Sequence, residues 1–323
     1  MKIFFPDKIR SFLIKAALVA AVPCGVWCFG ILYFVIFPEK FFPALSSAAV
    51  LFLLIAFACF YRSLLWGVWG IEAALMIYFA CLTPAMQFKG VKWQTPWARR
   101  PQAEFLDNRR IRFTGVRDFD YRSEKDFTPR YCEMLVSIED IQYIDLALSH
   151  WDGMESVAHT MLGMQFSDGQ YLCLSLETRL PEGREQSSIG GLFKQYELIP
   201  LLGTRRDIFD LRIRHRGEDF YLYRTTLSKD QARQLLIFLA ANLKRPPRFY
   251  NTLTHNCTTA LDLFLHVAGS GPVDDIRLLV NGFSDQLLFE LGYLCHRRGE
   301  SFASLKSRSF IPGKSSGVTD EKE

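Results

Sequence analysis

One cysteine of this chain lies in a stretch that suits a nucleophile. Cys257 follows a polar, turn-forming run at 251–256 and precedes apolar residues spaced about 3.6 apart, so the pattern predicts that it opens a helix. Unpaired backbone N–H groups and the positive end of the helix dipole favour the thiolate there. The alternative interpretation is a small apolar residue packed beneath the helix start.

A histidine that could serve as the base lies in a predicted hairpin at 157–178. Glycine at the third position of the 167–169 loop suits a type I turn followed by a glycine bulge, which pairs His159 with Glu177 on the more polar face. A two-residue loop would instead pair His159 with Thr178 and turn Glu177 to the other face. The sequence leaves both registers open, and His159 could also be an ordinary strand histidine that a neighbour satisfies.

Together these side chains form a Cys–His–carboxylate set that can transfer an acyl group. Cys257 would attack a carbonyl, His159 would take and return the proton, and Glu177 would orient His159. His255 is a rival base, but it lies two residues from Cys257 in a tight loop, where reaching the sulfur is awkward.

Other polar residues are candidates for holding the substrate. The backbone N–H of Cys257 and the side chain of Asn256 could hold the oxyanion, and Thr258 and Tyr196 are further candidates for oxyanion or substrate binding. The eight cysteines lack the spacing of a metal site, so the sequence implies neither a metal nor another cofactor.

The first ninety residues are far more apolar than the rest of this 323-residue chain. Runs at 11–37, 44–61 and 64–82 are each long enough to cross a bilayer. Basic residues before the first run and after the second favour a cytoplasmic N-terminus, with everything after Pro84 in the periplasm of a bacterial inner-membrane protein. Basic residues just beyond the third run favour the opposite orientation.

The net charge of +4 and pI near 8.6 suit a membrane-surface protein and fall short of a nucleic-acid-binding signature. Arginines at 85–118 could contact lipid phosphates or simply be solvated. Later in the chain, 208–213 is predicted to be a strand, and the polar end of the chain is predicted to be disordered. The predicted parts are a transmembrane region at 1–84, a basic juxtamembrane segment at 85–118, a periplasmic thiol-enzyme-like domain at 119–298 and a disordered tail at 299–323.

The order of these motifs, a strand histidine followed by an Asn-Cys pair at a helix start, resembles the circularly permuted papain-like thiol enzymes, which include the lecithin:retinol acyltransferase group. More closely, four segments resemble the Lnb N-terminal periplasmic domain family. They are FDYRSEKDFTPRY (119–131), AHTMLGMQFSDGQYLCLSLETR (158–179), GLFKQYEL (191–198) and FYNTLTHNCTT (249–259).

The resemblance implies an α+β fold of permuted papain-like type, with an antiparallel sheet plus helices, preceded here by three transmembrane helices. It also implies transfer of a fatty acyl chain from phospholipid or lipoprotein to an amine through a Cys257 thioester, with His159 as its partner. Two other functions stay open: a periplasmic thiol peptidase or amidase, and a non-catalytic scaffold of the cell envelope. No nucleic-acid partner is expected.

Overall fold

The computed structural model describes residues 7–37, 41–60, 62–82, 88, 90–151, 153–271 and 273–313. They form two compact units, one of residues up to Val91 together with Glu185–Tyr196, and one of Lys92–Arg184 together with the chain from Glu197. The helices are α1 (Asp7–Ile31), α2 (Phe41–Phe60), α3 (Arg62–Ile77), α4 (Thr95–Ala98), α5 (Ser188–Leu192), α6 (Arg206–Arg216), α7 (Lys229–Asn242), α8 (Thr259–Val267), α9 (Ile276–Leu279), α10 (Ser284–Glu290) and α11 (Phe302–Ser309).

The first unit contains α1, α2 and α3, which pack against one another around a small apolar core. Wider π-type turns extend α1 over Leu32–Ile36 and α3 over Tyr78–Leu82. Among the described residues, one helical stretch, Val19–Ile36, is long and apolar enough to cross a membrane, and the apolar stretch Gly67–Cys81 is shorter. The predicted second span reaches residue 61, which lies outside the described residues.

The segment between the strands at 171–179 and 197–204 of the second unit belongs to the first unit. We call this segment, Glu185–Tyr196, the strap. The ring of Phe193 is buried against Gly30, where an added Cβ would come within 2.0 Å of that ring. Lys194 donates a hydrogen bond of 2.9 Å to the carbonyl oxygen of Phe79, near the end of the third helix. Three aromatic rings surround Phe193: Trp27, Phe34 and Phe79.

The second unit is built on a ten-stranded sheet with the central order β1-β2-β9-β8-β7-β6-β10-β12. The predicted antiparallel sheet is in fact mixed, because β2 and β9 run parallel where Arg117 lies opposite Gly203. The strands are β1 (Gln102–Phe105), β2 (Arg110–Arg117), β3 (Asp120–Tyr121), β4 (Phe127–Thr128), β5 (Tyr131–Ser137), β6 (Ile141–His150), β7 (Ala158–Phe166), β8 (Tyr171–Arg179), β9 (Glu197–Thr204), β10 (Asp219–Arg224), β11 (Arg248–Phe249) and β12 (Phe310–Ile311).

The β7–β8 hairpin has the register that its three-residue loop predicts. Met161 lies opposite Ser175, and the same register carried to the strand ends places His159 opposite Glu177. Gly169 has a φ of +89°, the left-handed conformation that a glycine bulge requires. The two-residue loop, which would have paired His159 with Thr178, is therefore excluded.

Both faces of this hairpin are buried, because side chains alternate between two apolar clusters. Leu162 and Leu174 belong to a large cluster that includes residues of α7 and α8. Met161 and Cys173 point the other way, into a smaller cluster covered by α6. The face predicted to be polar is thus polar mainly at its end, where His159, Ser175 and Glu177 lie.

Two predicted elements differ from the structure. Residues 208–213, predicted to be a strand, lie within α6, because Ile208, Phe209 and Ile213 bury one side of a wide helix against the sheet. The predicted disordered tail is ordered in its first part, where α11 is capped by Ser301 and buries Leu305, and β12 then pairs with β10. Residues 314–323 of that tail lie outside the described residues.

Candidate active site

Cys257 lies in the turn that leads into α8, two residues before the helix begins. The backbone N–H of Ala260 donates to the carbonyl oxygen of Cys257 at 3.2 Å, so the chain is already coiling at the cysteine. The thiol is half-buried, and its Sγ lies 3.7 Å from the carbonyl oxygen of Ala158, the residue before His159. The fold thus brings the thiol from a helix start to the beginning of the strand that carries the histidine.

His159 is the second residue of β7, and its ring is held by two groups on β8. Its Nε2 lies 2.6 Å from Oγ of Ser175 and 3.3 Å from Oε1 of Glu177. The Ser175 hydroxyl also donates to the same Glu177 oxygen at 2.6 Å. Alternate residues of one strand share a face, so Ser175 and Glu177 both meet the ring of the opposite strand.

The charges of this cluster favour an ion pair between the thiolate and the imidazolium. Burial disfavours the imidazolium, but the charge of Glu177 outweighs burial and raises the pKa of His159 to about 9. Burial likewise opposes the thiolate, but a hydrogen bond with His159 and its charge outweigh burial and lower the pKa of Cys257. A thiol that is ionised below its ordinary pKa is the form that attacks a carbonyl.

Arg212 of α6 completes the carboxylate's surroundings. Its Nη2 lies 2.9 Å from Oε1 of Glu177, and its Nη1 donates to the carbonyl oxygen of Ile208 at 2.8 Å. Burial opposes ionisation of Glu177, but His159 and Arg212 outweigh it and hold the pKa of Glu177 well below its usual range. Arg212 was not predicted from the sequence, although an arginine within an apolar run is an unusual feature that could have indicated it.

Asn281 is a second neighbour of this site that was not predicted from the sequence. It lies in the turn before α10, with Nδ2 3.2 Å from Sγ of Cys257 and 2.5 Å from the carbonyl oxygen of Ala158. Its Oδ1 accepts a hydrogen bond of 3.0 Å from the backbone N–H of Ala158. The Asn-Gly pair at 281–282 is typical of a turn, but nothing in the sequence indicates that this turn lies next to the thiol.

The remaining predicted residues build local structure. Asn256 donates from Nδ2 to the carbonyl oxygen of Thr252 at 2.8 Å, and its Oδ1 accepts from the backbone N–H of Thr258 at 2.9 Å. These bonds shape the turn that presents Cys257, and the predicted oxyanion roles of Asn256 and Thr258 stay predictions. The rival base His255 has its Nδ1 3.0 Å from Oγ1 of Thr254.

Tyr196 belongs to the strap, in the first unit. Its hydroxyl accepts from the backbone N–H of Ser187 at 2.9 Å and donates to the carbonyl oxygen of Glu185 at 3.0 Å. These bonds close the strap upon itself, and a role for Tyr196 in substrate binding stays a prediction. Among the described residues, no three His, Cys, Asp or Glu side chains are grouped as a metal ion would require.

Fold and site together define an α+β domain in which a cysteine thiol, a histidine ring and a carboxylate lie side by side, with the histidine ring in contact with the carboxylate. Residues 127–282 match the family described as the Lnb N-terminal periplasmic domain, which is the family that the motifs predicted. The matched range runs from β4 to Gly282 and includes Cys257, His159, Glu177, Arg212 and Asn281.

Comparisons with curated proteins and with solved structures gave no match. The permuted papain-like description of the fold therefore stays a prediction. The family match and the apolar stretch Val19–Ile36 together indicate a membrane-associated protein of the cell envelope with a periplasmic domain.

Proposed function

We propose that this protein is a membrane-anchored, cysteine-dependent acyltransferase. It would move a fatty acyl chain from a phospholipid or lipoprotein to an amine through a thioester on Cys257. The observation that carries this proposal is the contact of Glu177 with the ring of His159, which in turn lowers the pKa of Cys257, in a protein that also has an apolar membrane-length helix.

In the first half-reaction the Cys257 thiolate attacks the ester carbonyl of the donor lipid and forms a carbon–sulfur bond. The carbonyl π electrons move to oxygen, and their return expels the ester alkoxide. His159 gives its proton to that alkoxide, so the lyso product leaves as a neutral alcohol. The enzyme is left with an acyl thioester on Cys257 and a neutral imidazole that still faces Glu177.

The second half-reaction reverses these roles. A neutral amine attacks the thioester carbonyl, His159 takes the proton of the new ammonium, and the Cys257 thiolate leaves as the amide forms. The imidazolium and thiolate are thereby restored, and no co-reactant is needed. The Glu177 carboxylate offsets the imidazolium charge in the resting ion pair, which is why its position beside Nε2 matters.

Exposed apolar side chains on the loops that carry these residues support a lipid substrate. Met154 precedes His159 and is 46% exposed, Leu253 precedes Cys257 and is 57% exposed, and Ile276 of α9 is 67% exposed. Hydrogen bonds from Gly282 to Ser156 and from Asn281 to Cys257 join these three loops next to the thiol. Exposed apolar side chains on the loops around a nucleophile suit contact with an acyl chain.

The proposal includes three membrane spans and a periplasmic catalytic domain. It is supported by three consecutive helices, α1, α2 and α3, that pack on one another, and by the basic residues at the predicted cytoplasmic end. A thioester enzyme at the outer surface of the inner membrane would meet both a phospholipid donor and an amine of a lipoprotein.

The proposal is tested by intact mass after incubation of the full-length protein, in detergent, with bacterial phospholipid. We expect a fatty-acyl mass increment that hydroxylamine removes, absent from Cys257→Ala and present in Cys295→Ala, a matched change at an exposed free cysteine. No adduct with a thiol that still alkylates rapidly below pH 7 would contradict the transferase and favour a peptidase or amidase. No adduct and a slow thiol would favour the scaffold.

The pH profile of this reaction is expected to have an upper limit set by His159. The imidazolium exists below its pKa of about 9, so acyl-enzyme formation, which needs its proton, should slow as the pH rises above about 9. Glu177→Gln removes the charge that raises this pKa, and burial then lowers it, so the upper limit should move to lower pH. The measurement is the rate of adduct formation against pH.

Glu182→Gln, at an exposed carboxylate, is the control for Glu177→Gln and should keep the profile of the unmodified protein. An upper limit that stays at the same pH in Glu177→Gln would show that this carboxylate does not set the protonation of His159.

A further inference from the structure

The thiol of Cys257 has a second polar neighbour besides His159. Nδ2 of Asn281 lies 3.2 Å from Sγ, and the Asn281 side chain is only 6% exposed. An amide N–H pointed at sulfur stabilises the thiolate more than the thiol, because a hydrogen bond to a charged acceptor is stronger than one to a neutral acceptor. Water competes less for this bond than at the surface, since Asn281 is buried and the thiol is half-buried.

The same amide fixes the strand that carries the base. Nδ2 also donates to the carbonyl oxygen of Ala158, and Oδ1 accepts from the N–H of Ala158 at 3.0 Å. These two bonds reproduce the paired exchange between facing strand residues in an antiparallel ladder. Asn281 therefore pairs with the first residue of β7, immediately before His159.

The turn that holds Asn281 is pressed closely against the segment before β7. A Cβ at Gly282 would lie 1.9 Å from the carbonyl oxygen of Glu155 and 2.6 Å from the carbonyl carbon of Ser156. The N–H of Gly282 donates to the oxygen of Ser156 at 3.1 Å, and Oγ of Ser284 donates to the oxygen of Asn281 at 2.7 Å. The absence of a side chain at Gly282 thus allows the amide of Asn281 to reach the sulfur.

We propose that Asn281 is a further catalytic residue, whose amide N–H holds the Cys257 thiolate while its carbonyl oxygen and second N–H fix the start of β7. The inference rests on the proposed acyl transfer and adds to it a donor that the Cys–His–Glu set lacks. When the sulfur forms the thioester its negative charge is lost and the bond from Asn281 weakens. When the amine displaces the thiolate the bond strengthens again, so Asn281 stabilises the leaving group of the second half-reaction.

A purely structural role would have a different signature. If Asn281 only braced β7, its loss would lower stability without moving the pH at which the thiol ionises. Asn281→Leu keeps the branched shape of the side chain and removes the donor without adding a charge beside the sulfur, so a shift of the midpoint reports the lost hydrogen bond. Asn281→Ala removes both the donor and the acceptor.

The test is the pH dependence of iodoacetamide alkylation at Cys257 in the full-length protein, measured residue by residue by mass after digestion, since the chain has eight cysteines. Loss of one charge-assisted bond should move the alkylation midpoint upward by about one to two pH units in both variants. Asn242→Leu, in α7 where the side chain bonds within its own helix, should keep the original midpoint.

An unchanged midpoint in Asn281→Leu, in protein with unaltered circular dichroism, would overturn the role of Asn281. A slow thiol in the unmodified protein, with no reaction below pH 7, would instead overturn the activated cysteine and with it the proposed function. The two failures are therefore distinguished by the behaviour of the unmodified protein.

Discussion

Replacing His159 by glutamine is expected to slow formation of the acyl-enzyme by about 10²–10⁴-fold. The variant loses the hydrogen bond and the positive charge that lower the pKa of Cys257, and burial would then raise that pKa. It also loses the proton donor for the leaving alkoxide, so both the attack and the collapse of the intermediate suffer. Time courses of the hydroxylamine-sensitive mass increment, measured at several pH values, give the rate.

The chain supplies a matched control in its other nearby histidine. His255 lies two residues from Cys257, but its ring nitrogen Nδ1 lies 3.0 Å from Oγ1 of Thr254. His255→Gln should therefore form the adduct at close to the original rate. If His255→Gln were the slow variant and His159→Gln the fast one, the base would be His255 and the role of Glu177 would be lost with it.

Replacing Asp207 by asparagine is expected to lower the free energy of unfolding by about 3–5 kcal/mol. Asp207 is fully buried, with Oδ1 2.6 Å from Nη2 of Arg117, and its Oδ2 accepts from the backbone N–H of Phe119 at 2.6 Å. Asparagine keeps the shape but leaves the buried guanidinium of Arg117 without a counter-charge. The midpoint of thermal unfolding in detergent, followed by circular dichroism, is the measurement.

Asp126→Asn is the control for this stability change. Asp126 pairs with Arg122, but both side chains are more than half exposed, and exposed ion pairs contribute little. We expect Asp126→Asn to unfold close to the unmodified midpoint. If Asp207→Asn also unfolded close to the unmodified midpoint, water or a rearranged neighbour would have to balance the charge of Arg117. Other contacts would then hold α6 to β2.

The hairpin that carries His159 and Glu177 could be predicted because its register depends on neighbouring residues in the sequence. A glycine at the third loop position fixes the loop type, the loop fixes the register, and the register decides which residue faces His159. The helix after Cys257 was equally readable, from a polar turn followed by apolar residues with helical spacing. These two local patterns and the family motifs were enough to find Cys257, His159 and Glu177.

The groups that surround this set could not be predicted, because they arrive from distant parts of the chain. Arg212 reaches Glu177 from α6, a segment whose alternating apolar residues predicted a strand. Only burial against the sheet, a tertiary effect, makes that segment a wide helix. Asn281 reaches the thiol across 24 residues, through a close approach that needs Gly282 and that no local pattern reveals.

The strap limits where the chain can be truncated and which helices can be exchanged. It joins β8, which carries Glu177, to β9, so the chain enters the helical unit a second time in the middle of the family domain. A fragment beginning at Lys92 would keep Phe193 but lose Gly30 and the rings of Trp27, Phe34 and Phe79, and would turn a buried aromatic side chain towards water. Exchange of α1, α2 or α3 for other helices would therefore require a matching change in the strap.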